Sequence, residues 1–225
     1  MGDTTRNRQR VLATALPLST ALLVIGEVLT PKGLDQIATK QSVALKMVAI
    51  AATHRTQLYF SNVLILFGLA TFGVSFAAIA TLIRGRGATV ATVAAVLGAL
   101  GGFCGAMANV LVGFNLASAV YPRSTAQSAA TFLVATFTSS VGQLFLLGYL
   151  LGLAVALVLV VIAVWRSRCM PRWLPFVLAV AWEVAAFAHA GIVAIPFMVP
   201  FVASMILVTT YVWRGPTATT TSTFD

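Results

Sequence analysis

The stretch VGQLFLLGYLLGLAVALVLVVIAVW, residues 141–165, contains no charged residue and is apolar along almost its whole length. As a helix it would rise about 37 Å, more than the ~30 Å hydrocarbon core of a bilayer. Similar runs recur along a chain that is 60% hydrophobic and only 8% charged, whereas soluble domains carry about 25% charged residues. The sequence therefore predicts an all-α, polytopic membrane protein.

Six apolar runs are long enough to cross a membrane, and turn signals such as TPKG, RGRG and WRG separate them. The predicted spans cover residues 11–30, 58–83, 89–117, 141–165, 173–192 and 196–213. This pattern predicts a six-helix transmembrane domain over residues 11–213. A basic cytoplasmic segment (1–10) precedes it, and a polar cytoplasmic tail (214–225) that we expect to be disordered follows it.

Basic residues predict the orientation of these spans. With the N-terminus inside, nine lysines and arginines fall in inner segments and five in outer segments. The positive-inside rule then places both termini in the cytoplasm of a multi-pass protein of the cell membrane, with the lipid bilayer as its first partner. The net charge of +9 does not indicate nucleic-acid binding, because no basic domain concentrates it.

Two outer segments are longer than a simple connection requires. Residues 31–57 favour a helix but lack a clean apolar stripe, which predicts a helical segment lying on the outer surface or capping the bundle. In residues 118–140, Pro122 breaks the third span. The part from Ser124 onward either forms a further surface helix or extends the fourth span.

Small residues form stripes on the third and fourth spans. Such stripes let helix backbones approach closely, where van der Waals contact drives association in lipid. The stripe predicts helix packing, either within the chain or against a membrane-protein partner or a second copy. The predicted packing residues are Gly98, Gly102, Gly105, Gly148 and Gly152, and Asn109 lies within the first stripe.

Glu183 is the most informative polar residue, since it lies near the middle of the fifth span. Ala179, Glu183 and Ala186 share a helical face, so we expect the carboxyl to face the bundle. A charged residue at mid-membrane costs ~2.5–3.5 kcal/mol on insertion scales, which favours a neutral, paired or hydrated carboxyl. His189 lies about 240° around the same helix, so the two residues do not form a metal site.

Polar residues concentrate in the outer half of the predicted bundle, with Glu183 at its lower limit. We expect Glu183, His189, Glu27 and Asn109 to line an outward-facing polar cavity. Such a cavity would bind a small molecule, an ion or a proton, and would serve binding or transport. The alternative is a structural or accessory subunit of a membrane complex, packed through the glycine stripes.

Enzyme chemistry is less favoured by the sequence. There is no P-loop, no GxSxG nucleophile elbow and no lysine or aspartate within a predicted span. Glu183 and His189 could serve as acid and base, but no nucleophile or metal set accompanies them. We therefore predict no catalytic, cofactor or metal residues.

Several segments together resemble those of a broad family of small actinobacterial membrane proteins of unknown function. They are EVLTPKG after the first span, the outer segment DQIATKQSVALKMVAIAATHRTQ, the inner turn LIRGRG and the stretch LLGYLLGLAVALVLVVIAVWRSRCMPRW. The positions that carry the resemblance are Glu27, Pro31, His54, Arg55, Arg84–Gly87 and Trp165–Trp173. The resemblance implies six helices in a bacterial cell membrane, and it implies no known activity.

Overall fold

The computed structural model describes residues 3–34, 38–118, 125–186 and 195–214, which form helices and turns without a strand in these ranges. The prediction of an all-α protein is confirmed for this part of the chain. Between α4 and α5 the chain forms a π-helical turn at Val110–Phe114. The helices are α1 Asp3–Leu29, α2 Gln41–Thr53, α3 Arg55–Ala80, α4 Ala88–Asn109, α5 Asn115–Ser118, α6 Ala126–Thr138, α7 Ser140–Ser167, α8 Trp173–Ala186 and α9 Ile195–Arg214.

Four stretches are long and apolar enough to cross a membrane: Arg10–Leu29, Arg55–Ala80, Ala88–Gly113 and Ser140–Ser167. They correspond to the first four predicted spans. The fifth and sixth predicted spans coincide with α8 and α9, which contain shorter apolar helical stretches in the described part of the chain. Residues 187–194, which would complete the fifth span, lie outside the described residues.

The long helices and α8 and α9 form a ring of neighbours in the order α1, α3, α4, α7, α8, α9 and back to α1. We call the end where α1, α4 and α8 begin the arginine end. There Gly87 takes a left-handed conformation (φ 102°), and a Cβ on it would lie 2.8 Å from the carbonyl oxygen of Ala163, so glycine suits this turn. The basic residues of the arginine end whose side chains are described are Arg10, Arg84, Arg86, Arg166, Arg168, Arg172 and Arg214.

Aromatic side chains fill the middle of the ring. Phe72 of α3 stacks on Trp182 of α8 with ring centroids 4.4 Å apart, and Phe201 of α9 lies 5.8 Å from Phe72 and 5.4 Å from Trp182. A neighbouring cavity bounded by Ser75 and apolar side chains measures about 10 Å³, the space of roughly one water. This aromatic layer is therefore closely packed.

The opposite end of the ring carries a second core, which we call the cap, formed by α2 and α6 with the adjoining turns. Gln41 Nε2 of α2 donates hydrogen bonds to the Gln127 carbonyl oxygen (3.3 Å) and to Thr131 Oγ1 (3.1 Å) of α6. The buried residues of the cap are Leu34, Ala38, Ala44, Met47, Val48, Ala51, Leu58, Leu116, Ala129, Ala130 and Leu133. The outer segment 31–57 thus contributes a capping helix.

The alternatives for residues 124–140 are resolved in favour of a separate helix. Ser139 is extended (φ −68°, ψ 148°), and its hydroxyl accepts a hydrogen bond from the backbone N–H of Gly142. An extended N-cap interrupts the helical hydrogen bonds, so α6 ends before α7 begins.

At the N-terminus, α1 begins at Asp3, so most of residues 1–10 continue the first predicted span as helix. The predicted disordered tail lies outside the described residues from 215 onward.

Candidate functional site

The glycine stripe on α4 packs against α3. A Cβ on Gly102 would lie 2.7 Å from the carbonyl oxygen of Leu69 and 2.8 Å from the Cα of Gly73. Gly98 lies against the ring of Phe76. Both are buried, so these two helices touch almost backbone to backbone.

A second line of close contacts joins α4 to α7. A Cβ on Gly152 would lie 2.9 Å from the Cα of Gly101, and one on Gly148 would lie 2.8 Å from the Sγ of Cys104. Gly105 faces Tyr149, whose Cδ2 lies 2.5 Å from the position of an added Cβ. All five predicted packing glycines therefore contact helices of the same chain.

Tyr149 links this packing to the acidic residues. It is half-buried on α7, and its hydroxyl lies within electrostatic range of the carboxylates of both Glu27 and Glu183. Sequence reasoning missed Tyr149. Its position in the sequence was a usable signal. Membrane tyrosines usually lie at the interfaces, whereas Tyr149 lies nine residues inside α7 between two glycines.

Glu183 does not face the bundle as expected. Its side chain is exposed, and the inward face of α8 carries Leu178, Ala181 and Trp182 instead. The stacking of Trp182 on Phe72 fixes the rotation of α8 and places Glu183 on the flank. The stripe of small residues on the fifth span predicted that Glu183 would face inward, but the larger Trp182 occupies the inward face of α8 instead.

Glu27 lies near the cap end of α1. It is half-buried and follows Gly26, whose position leaves room for Ile65 of α3. Seventeen residues of helix separate it from Arg10, a rise of ~25 Å. Glu27 of α1 and Glu183 of α8 both act electrostatically on the Tyr149 hydroxyl of α7.

Asn109 joins α4 to α3 nearer the cap. Its Nδ2 donates a hydrogen bond to the backbone oxygen of Asn62 at 2.8 Å. The Asn62 side chain is only 6% exposed, and it lies against Gly113 in the π-helical turn. Its Nδ2 has no hydrogen-bond partner in the described part of the chain. Asn109 thus binds a neighbouring helix, one of its two expected roles.

His189 lies outside the described residues, so its predicted place in the site stays a prediction. Within the described ranges no group of three or more His, Cys, Asp or Glu side chains could hold a metal ion. The polar groups that interact electrostatically across these helices are the side chains of Glu27, Glu183 and Tyr149. Carboxyl groups can attract a cation when they are ionised.

Comparisons of the chain with protein-family models, with curated proteins and with solved structures found no match. The resemblance to a family of small actinobacterial membrane proteins stays a prediction.

Proposed function

We propose that the chain is a six-span protein of the cell membrane, with both termini and the arginine end in the cytoplasm and the cap outside. Support comes from the four long apolar helices and from α8 and α9, which complete the ring. Arginines at one end, beside Trp165, Trp173 and Trp213, agree with the positive-inside rule and with interfacial aromatic residues.

We further propose that the protein binds a cation or a proton in the half of the bundle nearer the cap, as a binding or transport protein. The proposal rests on two acidic residues within apolar helices, the half-buried Glu27 of α1 and Glu183 of α8, whose charges would both act on the Tyr149 hydroxyl. These groups come from α7, α1 and α8, and Glu27 lies more than 100 positions from the other two in sequence. A fold that only needed packing would gain nothing from carboxylates at such positions, because acids within spans are costly.

The contacts weigh against the alternative of an accessory subunit packed through its glycine stripes. Those glycines already pack within the chain. The outward face of α7 instead carries large apolar side chains, including Leu144, Leu147 and Leu151, which are 54–67% exposed. A face of this kind suits contact with lipid tails.

The binding proposal is tested with Trp182 as a reporter, since it immediately precedes Glu183. A variant in which Trp165, Trp173 and Trp213 are phenylalanine retains only this tryptophan. Its fluorescence in detergent is followed during titration with tetraphenylphosphonium, potassium, sodium or acid. We expect at least one of these probes to change the signal in a saturable manner.

Neutral replacements then decide whether the acids are responsible. Glu183→Gln and Glu27→Gln should each weaken the response about tenfold or more, equivalent to ~1.4 kcal/mol. Tyr149→Phe should weaken it less, and Tyr59→Phe, which removes a hydroxyl from α3, serves as the matched control. A response that is the same in both glutamine variants, or the lack of any response, would refute the proposed function.

A further inference from the structure

Two arginines at the arginine end lie over tryptophan rings. Arg10 of α1 lies over Trp213 of α9, and Arg172 lies over Trp165, each with its Cζ 5.8 Å from the ring centroid. The first pair joins the first and last helices. The second closes the single turn between α7 and α8, where Trp165 Nε1 also donates a hydrogen bond to the Arg172 carbonyl oxygen (3.2 Å).

The two guanidinium groups differ in their surroundings. Arg172 is exposed, so water can satisfy its N–H groups. Arg10 is only partly exposed, and its Nε is buried without a hydrogen-bond partner among the described residues. A donor of a charged group that is buried without an acceptor is unfavourable, so the described side chains leave the Arg10 guanidinium incompletely compensated.

Neither Glu27 nor Glu183 can supply an anion for Arg10. Glu27 lies on the same helix as Arg10 but ~25 Å away along its axis. Glu183 lies ten residues from the start of α8, about 15 Å from the arginine end. The counter-charge for Arg10 therefore has to come from outside the described side chains.

The neighbours of Arg10 face the lipid at the membrane surface. Val11 is 69% exposed and Trp213 is 48% exposed, while Arg214 supplies a second positive charge in the last turn of α9. An amphipathic tryptophan next to an exposed aliphatic side chain is typical of the boundary between acyl chains and headgroups. An arginine fork matches the oxygen geometry of a phosphate.

We infer that Arg10, Trp213 and Arg214 form a binding site for the phosphate headgroup of an anionic phospholipid, in the leaflet at the arginine end. The lipid lies at the junction of α1 and α9 and holds the two terminal helices of the ring together. Arg172 and Trp165 form a structural pair without lipid specificity. The inference rests on the proposed membrane placement and not on the cation site.

The test uses brominated lipids, which quench a tryptophan only when they lie beside it. A variant with Trp165, Trp173 and Trp182 changed to phenylalanine keeps Trp213 alone. It is reconstituted in vesicles containing equal small fractions of brominated phosphatidylglycerol or brominated phosphatidylcholine. One arginine near a membrane surface contributes about a fivefold preference for an anionic lipid, so we expect phosphatidylglycerol to be enriched beside Trp213 by about fivefold or more.

Matched variants separate a specific site from general attraction. Arg10→Gln should lower the enrichment about fivefold, and Arg10→Lys, which keeps the charge without the planar fork, should lower it less. A variant with only Trp165 measures the general attraction of the neighbouring arginines, and the enrichment there should be smaller than the enrichment at Trp213. Far-ultraviolet circular dichroism of each variant confirms that it is folded.

Three results would overturn the inference. The first is the same enrichment at Trp213 with and without Arg10, and the second is an equal, Arg172-dependent enrichment at Trp165. The third is displacement of the brominated lipid by inorganic phosphate in solution, which would indicate a site for soluble anions. Because the readout is lipid contact at Trp213, failure of the cation site would leave this result unchanged.

Discussion

The bundle and the cap are both helical, but they are held together in different ways. In the bundle, α4 lies against α3 and α7 through glycines whose added Cβ atoms would meet backbone or ring atoms below 3 Å. In the cap, α2 and α6 meet through buried Met47, Val48 and Leu133, and neither of these two helices contains a glycine.

In the proposed membrane placement, the difference follows from the solvent around each region. Lipid tails are as apolar as leucine, so burying leucine between spans gains little, and close backbone contact is the main source of attraction. A cap at the water-facing end gains ~25 cal/mol for each Å² of apolar surface that it removes from water. We therefore expect the bundle to be most sensitive to enlargement of its glycines, and the cap to truncation of its buried apolar side chains.

The largest effect is expected for Gly102→Leu in the bundle. A Cβ at this position would lie 2.7 Å from the Leu69 carbonyl oxygen and 2.8 Å from the Gly73 Cα, and backbone atoms cannot move aside as a side chain can. Forcing α3 and α4 apart should cost more than the ~1–3 kcal/mol typical of overpacked cores. We expect loss of the folded protein, measured by size-exclusion chromatography and by resistance to denaturation in sodium dodecyl sulfate.

Val96→Leu is the matched control, because Val96 lies on the same helix and is 56% exposed. It adds a methylene on the lipid-facing side and should leave stability unchanged. If both variants were equally stable, close contact between α3 and α4 would not hold the bundle together.

A smaller effect is expected for Leu133→Ala in the cap. Leu133 is 2% exposed within the cap core, and truncating a buried leucine costs about 2–5 kcal/mol. The loss should be local: hydrogen exchange should accelerate in α2 and α6 and stay slow in α3, α4 and α7. Phe132→Ala, which truncates the 57% exposed neighbour on α6, is the control. Equal acceleration in the bundle would show that cap and bundle unfold as one unit.

Composition and periodicity predicted what depends on local sequence. Long uncharged runs predicted the helices that α1, α3, α4 and α7 form, because length and hydropathy are properties of one segment. The spacing of the glycines on α4 identified a face, since a helix repeats every 3.6 residues. The sequence did not indicate that this face would serve α3 on one side and α7 on the other.

Features that depend on contacts between several segments could not be predicted from the pattern of any one segment. The rotation of α8 is set by the stacking of Trp182 on Phe72, two residues 110 positions apart. As a result Glu183 lies on the flank of α8 and not on its inward face. Gly113 of the π-helical turn lies against the Asn62 side chain of α3, and the two acids that act on Tyr149 of α7 belong to α1 and α8.

The smallest predicted effect concerns Cys169, in the turn between α7 and α8. Burial raises the pKa of the Cys169 thiol above its ordinary value, although the neighbouring Ser167 hydroxyl partly opposes this. The folded state therefore favours the neutral thiol. Its contribution to stability is fully present below the unfolded-state pKa and is lost as pH rises through the folded-state pKa. A Cys104→Ala variant should react with maleimide more slowly when folded than when unfolded, and the difference should shrink as pH rises.

Cys169 and a cysteine introduced in the cap together test whether the cap and the arginine end lie on opposite sides of the membrane. With Cys104 and Cys169 both replaced by alanine, Ser42→Cys places the only thiol on the exposed surface of α2. A membrane-impermeant maleimide should label this cap cysteine from outside intact cells, and it should label Cys169 of the Cys104→Ala variant only in inverted vesicles. Prolonged labelling at alkaline pH compensates for the raised thiol pKa, so a negative result reflects access and not reactivity. Labelling of both thiols from one side would place the cap and the α7–α8 turn in the same solvent. The difference between lipid around the bundle and water around the cap would then no longer explain why the bundle packs through glycine and the cap through leucine.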